Sequence, residues 1–200
     1  ILVFNDYAIA KLNGNYGIID LLGNIKIPFQ YDFINVYSEK IASVRLKDKW
    51  GLIDFEGKTV ISLNYEGVGV FSNDLIPVKL NNKWGYIDKD EKVIIPFQFD
   101  GAMEFVDGLA AVNIGGNDEA SLYGFVSDGL WGFINKKGEI IIPIIYEAVK
   151  SFKNGKVWVK RALNEGEIRK YQDDTWGKID IHGEIIKPFK YTTDDIYINH

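Results

Sequence analysis

The dipeptide Trp-Gly returns along this chain with near-constant surroundings, and that recurrence restricts the possible folds more than any other feature. The copies read "KWGLIDFEGK" (49–58), "KWGYIDKDEK" (83–92), "LWGFINKKGE" (130–139) and "TWGKIDIHGE" (175–184). With Tyr16–Gly17 as a Tyr-bearing first copy, the anchor rings are Tyr16, Trp50, Trp84, Trp131 and Trp176, at intervals of 34, 34, 47 and 45 residues. The anchor glycines that follow them are Gly17, Gly51, Gly85, Gly132 and Gly177. Self-similarity at a fixed period marks a repeat architecture. Each unit is too small to bury its own apolar face, and stacking supplies the core.

Every copy divides into the same parts. After the anchor and its glycine, a short apolar run leads to Asp20, Asp54, Asp88, Asn135 or Asp180. Three residues on, Gly23, Gly57, Gly138 and Gly183 hold a turn position suited to positive φ, with Glu91 as the departure. A second apolar run carries Pro28, Pro96, Pro143 and Pro188 at one place, and Ser62 in the odd copy. Proline cannot donate to a ladder, so this strand ends, bulges or lies on an edge there. Rings at Tyr31, Tyr65, Phe99, Tyr146 and Tyr191 close the run, and a further ring stands 21 residues after every anchor, at Tyr37, Phe71, Phe105, Phe152 and Tyr197. A third run precedes each anchor, as in "IASVRLKDK" (41–49) and "LIPVKLNNK" (75–83). In the remaining stretch Ile34, Val68, Ala102 and Val149 stand three positions before the ring, a spacing that suits a turn better than a strand.

The predicted fold is therefore all-β: five tandem three-stranded antiparallel meanders of about 34 residues, stacked into an open superhelical array. A closed five-bladed, propeller-like ring is the alternative. The units run about 4–36, 37–70, 71–104, 105–151 and 152–197. Units of this length are short for four-stranded blades, which favours the open form. No window sustains a 3.6-residue pattern with caps, so long helices are not expected.

Neighbours along a strand face opposite sides, which puts Trp84 and Tyr86 on one face and Gly85 and Ile87 on the other. An indole that buries about 200 Å² needs a cover, and the adjacent unit is the available one. The anchor glycine of each copy, lacking Cβ, is expected to let that neighbour approach closely, so that ring and gap interlock between units.

On the strength of these copies the chain resembles the bacterial WG-repeat (KWG) family over essentially its full length. Tyr16 for Trp, Glu91 for the turn glycine and Ser62 for proline depart from the pattern without breaking its phase. The resemblance implies non-catalytic β modules of bacterial proteins, often of the surface or envelope. An envelope or secreted setting is accordingly expected over a cytoplasmic one. It supplies no catalytic residues.

Composition narrows the function classes. With 23 basic against 28 acidic residues the formal charge is −5, the wrong sign for a protein that binds nucleic acid by releasing counterions. No apolar run approaches the ~20 residues that span a bilayer as a helix. Cysteine is absent, which removes disulfides, thiolate metal sites and thiol nucleophiles together. The chain begins Ile-Leu-Val-Phe, as a fragment or mature form would.

Catalytic motifs are scarce. "GLIDFEGKT" (51–59) has five residues between its glycines where a phosphate loop has four, and a hairpin replaces the helix context. His182 and His200 stand alone, so neither a zinc pair nor a Ser-His-Asp arrangement is in evidence. "DKDE" (88–91) lacks the full calcium loop and reads as a turn capped by Asp. No cofactor or metal is expected.

The two long intervals carry the functional expectation. Their extra 13 and 11 residues fall in the hairpin just before the next anchor, in 114–130 and 161–175, so both hairpins should project from one rim. Insertions on one face often mark a binding face. The candidate partner-binding residues are Trp158, Lys160, Arg161, Arg169, Lys170 and Tyr171, with Asp118 and Glu119 on the acidic first hairpin. The expected role is a non-catalytic scaffold that holds an unidentified protein or glycan through these hairpins. A carbohydrate-binding module with exposed rings is the second reading, and a glycan-acting enzyme on a propeller-like frame is the third.

Overall fold

In the computed structural model, residues 2–4, 6–37, 40–117, 127–162 and 175–198 are described. Each repeat folds as an antiparallel meander, and in the first three sheets two-residue turns at 13–14, 47–48 and 81–82 join the second strand to the third. The first sheet contains β1 (Leu2–Phe4), β2 (Tyr7–Leu12), β3 (Asn15–Asp20) and β4 (Ile25–Tyr31) in sequence order. The second contains β5 (Phe33–Val36), β6 (Ile41–Leu46), β7 (Lys49–Asp54) and β8 (Thr59–Tyr65). The third contains β9 (Gly67–Val68), β10 (Ile76–Leu80), β11 (Lys83–Ile87) and β12 (Val93–Phe99).

The remaining strands form one continuous sheet of β13 (Gly101–Ala102), β14 (Leu109–Asn117), β15 (Ser127–Asn135), β16 (Ile140–Val149), β17 (Lys156–Arg161), β18 (Trp176–Asp180) and β19 (Ile185–Tyr191). It is two meanders joined through β16, whose Tyr146 pairs with Trp131 on one side and Arg161 on the other. We call these halves the fourth and fifth sheets. A short helix, α1 (Thr193–Ile198), follows.

The predicted meander of three strands is corrected to four. Ile34, Val68, Ala102 and Val149 lie in strands rather than turns, and they pair with Val44, Val78, Val112 and Val159. β9 and β13 are only two residues long, too short for alternation to register. A unit of about 34 residues accommodates four strands, because the extra strand occupies only two to four residues.

Proline acts as foreseen. In the third sheet Trp84 pairs with Phe99 but Tyr86 with Ile95, so β12 carries two extra residues through Pro96 and Phe97. The same register shift follows Tyr16, Trp50, Trp131 and Trp176. This bulge also explains the anchor glycines, and here the expectation is overturned in all five copies. A Cβ on Gly85 would lie 2.7 Å from Ile95 O and 2.9 Å from the Phe97 ring. On Gly17 it would lie 2.7 Å from Ile27 O, on Gly51 2.6 Å from Ile61 O, and on Gly132 2.7 Å from both Ile142 O and the Ile144 Cα. On Gly177 it would meet the Phe189 ring at 2.9 Å. Each of these obstacles belongs to the bulged strand of the glycine's own sheet. Gly17, Gly51, Gly85, Gly132 and Gly177 therefore make room for that strand, not for the neighbouring unit.

The indoles behave as expected. Trp50, Trp84, Trp131 and Trp176 are 2%, 0%, 4% and 6% exposed, while Tyr16 is half-buried. Trp50 packs in a cluster with Val68, Ile76, Val78 and Ile87 of the third sheet. Trp84 packs with Ala102, Phe105, Val112 and Ile134 of the fourth, and Trp131 with Val149, Phe152, Val157 and Ile179 of the fifth. Each sheet's core is thus completed by the next one along. Trp176 is covered instead by Ile196 of α1, and its Nε1–H donates to Thr193 Oγ1 at 3.2 Å. Thr192 and Asp195 cap that helix reciprocally.

Candidate functional site

The rim that carries the long hairpins is built from tight turns. Lys47 and Asp48, and Asn81 and Asn82, hold paired positive φ values of 51° and 61°, and of 52° and 59°, as two-residue hairpin turns require. The acid just past each of the first three closing rings binds backbone N–H groups at this rim. Asp32 Oδ2 accepts the Lys47 N–H at 2.7 Å, Glu66 those of Asn81 and Asn82 at 3.2 and 2.8 Å, and Asp100 Oδ2 that of Gly115 at 2.9 Å. Sequence reasoning missed these acids, although their fixed place after Tyr31, Tyr65 and Phe99 was a usable signal. The opposite turns are Asx-capped: Asp88 Oδ1 accepts the Asp90 and Lys92 N–H groups, and Asp20, Asp54, Asn135 and Asp180 do likewise.

One apolar residue precedes the rim turn in each of the first four sheets: Leu12, Leu46, Leu80 and Ile114. They hold equivalent register, opposite Asn15, Lys49, Lys83 and Leu130. Leu12 is 53% exposed and Ile114 50%, with Leu46 and Leu80 half-buried between them. Arg161, exposed, takes this place in the fifth sheet. The row of apolar side chains runs along the hairpin rim and ends at a cation.

The candidate residues separate. Trp158 is 1% exposed, packed with Trp176 and Ile196, and cannot offer its ring face as a sugar platform. Lys160 ion-pairs with Glu147 at 3.3 Å. Arg161 lies at the exposed end of β17. Asp118, Glu119, Arg169, Lys170 and Tyr171 lie outside the described residues, as does His200. His182 sits in a turn, its backbone N–H on Asp180 Oδ1. Among the described residues no group of three or more His, Asp and Glu gathers as a metal site. No described helix is long and apolar enough to cross a membrane.

A cavity of about 380 Å³ opens where the short first strands of the second, third and fourth sheets and the residues after them converge, lined by Asn35, Tyr37, Val70, Pro77, Met103 and Glu104. Beside it the Tyr86 hydroxyl donates to Met103 O at 2.8 Å. Burial, and then the Glu104 charge, push that phenol well above its ordinary pKa, so it is a fixed donor and not a base. Among the described residues the lining offers one carboxylate, that of Glu104.

Comparison with known proteins completes the description. The WG containing repeat family matches residues 16–50, 50–84, 84–117 and 131–161, well over half of the chain. No curated protein matches. Among solved structures, Kluyveromyces lactis Hsv2 with loop 6CD replaced by a Gly-Ser linker gives a TM-score of 0.54 at 12% identity over 91% of this chain and 62% of that one. Unmodified K. lactis Hsv2p gives 0.52 at 13%, over 91% and 59%. A dihydro-heme d1 dehydrogenase, NirN, gives 0.50 at 12%, over 94% and 46%. The chain spans less than two thirds of each of these. Hsv2 is a β-propeller protein, and at such identities the likeness is one of fold alone. Four in-phase matches, each starting at an anchor ring or ending on the next, fall on sheets built to one plan, and the chain belongs to the WG-repeat family.

Proposed function

We propose that this chain is a non-catalytic interaction module that binds a protein along its hairpin rim. The observation that carries this reading is the row Leu12, Leu46, Leu80 and Ile114, continued by Leu130 and closed by Arg161. A partly exposed apolar strip bordered by the charged Lys47, Asp48 and Arg161 has the make-up of a protein-docking surface. β14 and β15 end at this rim, at Asn117 and Ser127, as do β17 and β18, at Arg161 and Trp176. The carbohydrate alternative draws less support, since the anchor indoles and Trp158 are buried.

The sheets make an open array in this reading rather than a closed ring. Its support is the last sheet, where Trp158 and Trp176 cluster with Ile196 of α1 and, among the described residues, with none of the first sheet. Among the described residues β1 pairs only with β2 and β19 only with β18. Solution scattering tests the shape, an elongated profile being expected.

The docking test is capture of proteins from bacterial extract on the immobilised chain, with identification by mass spectrometry. Recovery of a specific protein should fall at least about tenfold, the order of a hot-spot loss, in Ile114→Asp/Leu130→Asp and on deletion of 164–170. Circular dichroism should stay unchanged. Undiminished capture by both variants rejects the rim, and binding on a glycan array in place of protein capture transfers the role to the second reading.

A further inference from the structure

On the face of each sheet that looks toward the next repeat, the residue two past the anchor stands opposite a partner in the following strand. The pairs are Ile18 with Ile27, Leu52 with Ile61, Tyr86 with Ile95 and Phe133 with Ile142. All are buried. In the fifth sheet the same two places hold Lys178 and Lys187, directly opposed. Like charges in cross-strand register destabilise a sheet, so the exchange of an apolar pair for two cations needs a physical reason.

The third residue in this row is Trp158, the β17 partner of Lys178. Lys178 Nζ lies 4.9 Å and Lys187 Nζ 5.6 Å from the centre of its ring. The indole is 1% exposed, and its Nε1–H has no acceptor among the described residues. Attraction to the ring offsets part of the repulsion between the amines but cancels neither charge. No carboxylate among the described residues pairs with either lysine. Burial, and then Lys187, Lys156 and Lys153, hold the Lys178 amine below its ordinary pKa. Two opposed cations with no salt bridge among the described residues thus stand on the last sheet of a chain that is acidic as a whole.

We propose that Lys178, Lys187 and the Trp158 indole form a binding site for a doubly charged oxyanion, a phosphate or sulfate group. Two ammonium groups match its charge, and its several oxygens accept from both, with the buried indole ring beneath the amines. A carboxylate, singly charged, would leave one cation uncancelled. The site is at the last sheet and does not depend on the hairpin rim.

The test follows the Trp158 indole N–H resonance of the 15N-labelled chain, identified by its loss in Trp158→Phe, while inorganic phosphate is titrated at constant ionic strength. A saturable shift is expected, reproduced by inorganic sulfate and not by acetate or chloride. In Lys178→Leu/Lys187→Ile, which installs the apolar pair of the second sheet, the resonance should persist and the affinity should fall at least about tenfold, as for loss of charge-assisted donors. Lys187→Gln alone should weaken binding about fivefold, which keeps the test decisive if the double variant does not fold. A shift that never saturates, an equal response to acetate, or unchanged affinity in the variants overturns the site.

Discussion

Glu91 of the third sheet grips Ser62 of the second: Oε1 accepts the Ser62 backbone N–H at 3.1 Å and Oε2 its hydroxyl at 2.6 Å. These are two of the three departures from the repeat pattern, an acid where the turn has glycine and a serine where the bulge has proline. The missing proline leaves an N–H, and the missing glycine supplies the carboxylate that takes it. Glu91 tolerates φ of 60° to do so, in a region that disfavours side chains.

A double-mutant cycle tests the compensation. Glu91→Gly relieves the backbone but strands the Ser62 groups, and Ser62→Pro removes both Ser62 donors and leaves the acid with the Tyr65 hydroxyl. Each single variant should lose about 1 kcal/mol, and the double variant should lie closer to wild type, with a coupling of about 1 kcal/mol. Urea denaturation reads it, and strict additivity would refute the pairing.

Tyr65 joins this cluster by donating its hydroxyl to Glu91 Oε2 at 3.0 Å. Burial, and then that carboxylate, raise its pKa from 10.0 to about 12. The neutral phenol is the form that the fold favours. Its contribution is complete below pH 10 and is lost as pH rises from 10 toward 12. Tyr86 and Tyr146 shift in the same direction. Stability should therefore decline above pH 10, and Tyr65→Phe should flatten that decline in urea midpoints measured from pH 9 to 11.

Gly85→Ala should be severe, because the new Cβ would meet backbone oxygen at 2.7 Å. A loss of roughly 3 kcal/mol or more is expected. Gly132→Ala, crowded by backbone at the same distance, should behave alike. Gly23→Ala, at φ of 85° with nothing within 4 Å, should cost only about 1 kcal/mol. Thermal unfolding of these variants separates crowding from backbone strain, and equal losses at Gly85 and Gly23 would discard the bulge explanation.

Ile196 seals the last sheet. Ile196→Asp places a charge against Trp158 and Trp176, and should cost about 2–4 kcal/mol with a red shift of tryptophan emission. Unchanged emission would show that α1 does not cover the indoles.

Much of this fold was written in the period. The phase of the anchors located the strands, the turn glycines and the proline bulge, because each answers to local backbone chemistry. The fourth strand was hidden because Gly67–Val68 and Gly101–Ala102 are too brief to alternate. The role of the anchor glycines, from Gly17 to Gly177, was assigned to the wrong partner, since their crowding comes from a bulge in the next strand of the same sheet. The Glu91–Ser62 grip joins residues of different repeats, and each looked like a lapse when read alone. Of the candidate site, Trp158 was misjudged: one aromatic between valines does not reveal which face it takes, and the Lys178–Lys187 opposition emerges only once register is known.

The interrupted outer strands have one more effect. Ile25, Ile94, Ile141 and Ile186 stand exposed on the margins of successive sheets, where an unpaired strand could recruit a second molecule and begin a fibril. Pro28, Pro96, Pro143 and Pro188 deny such a recruit an unbroken ladder. The second sheet has no proline at this place, and there Glu91 occupies the Ser62 N–H, so that donor too is closed to a recruit.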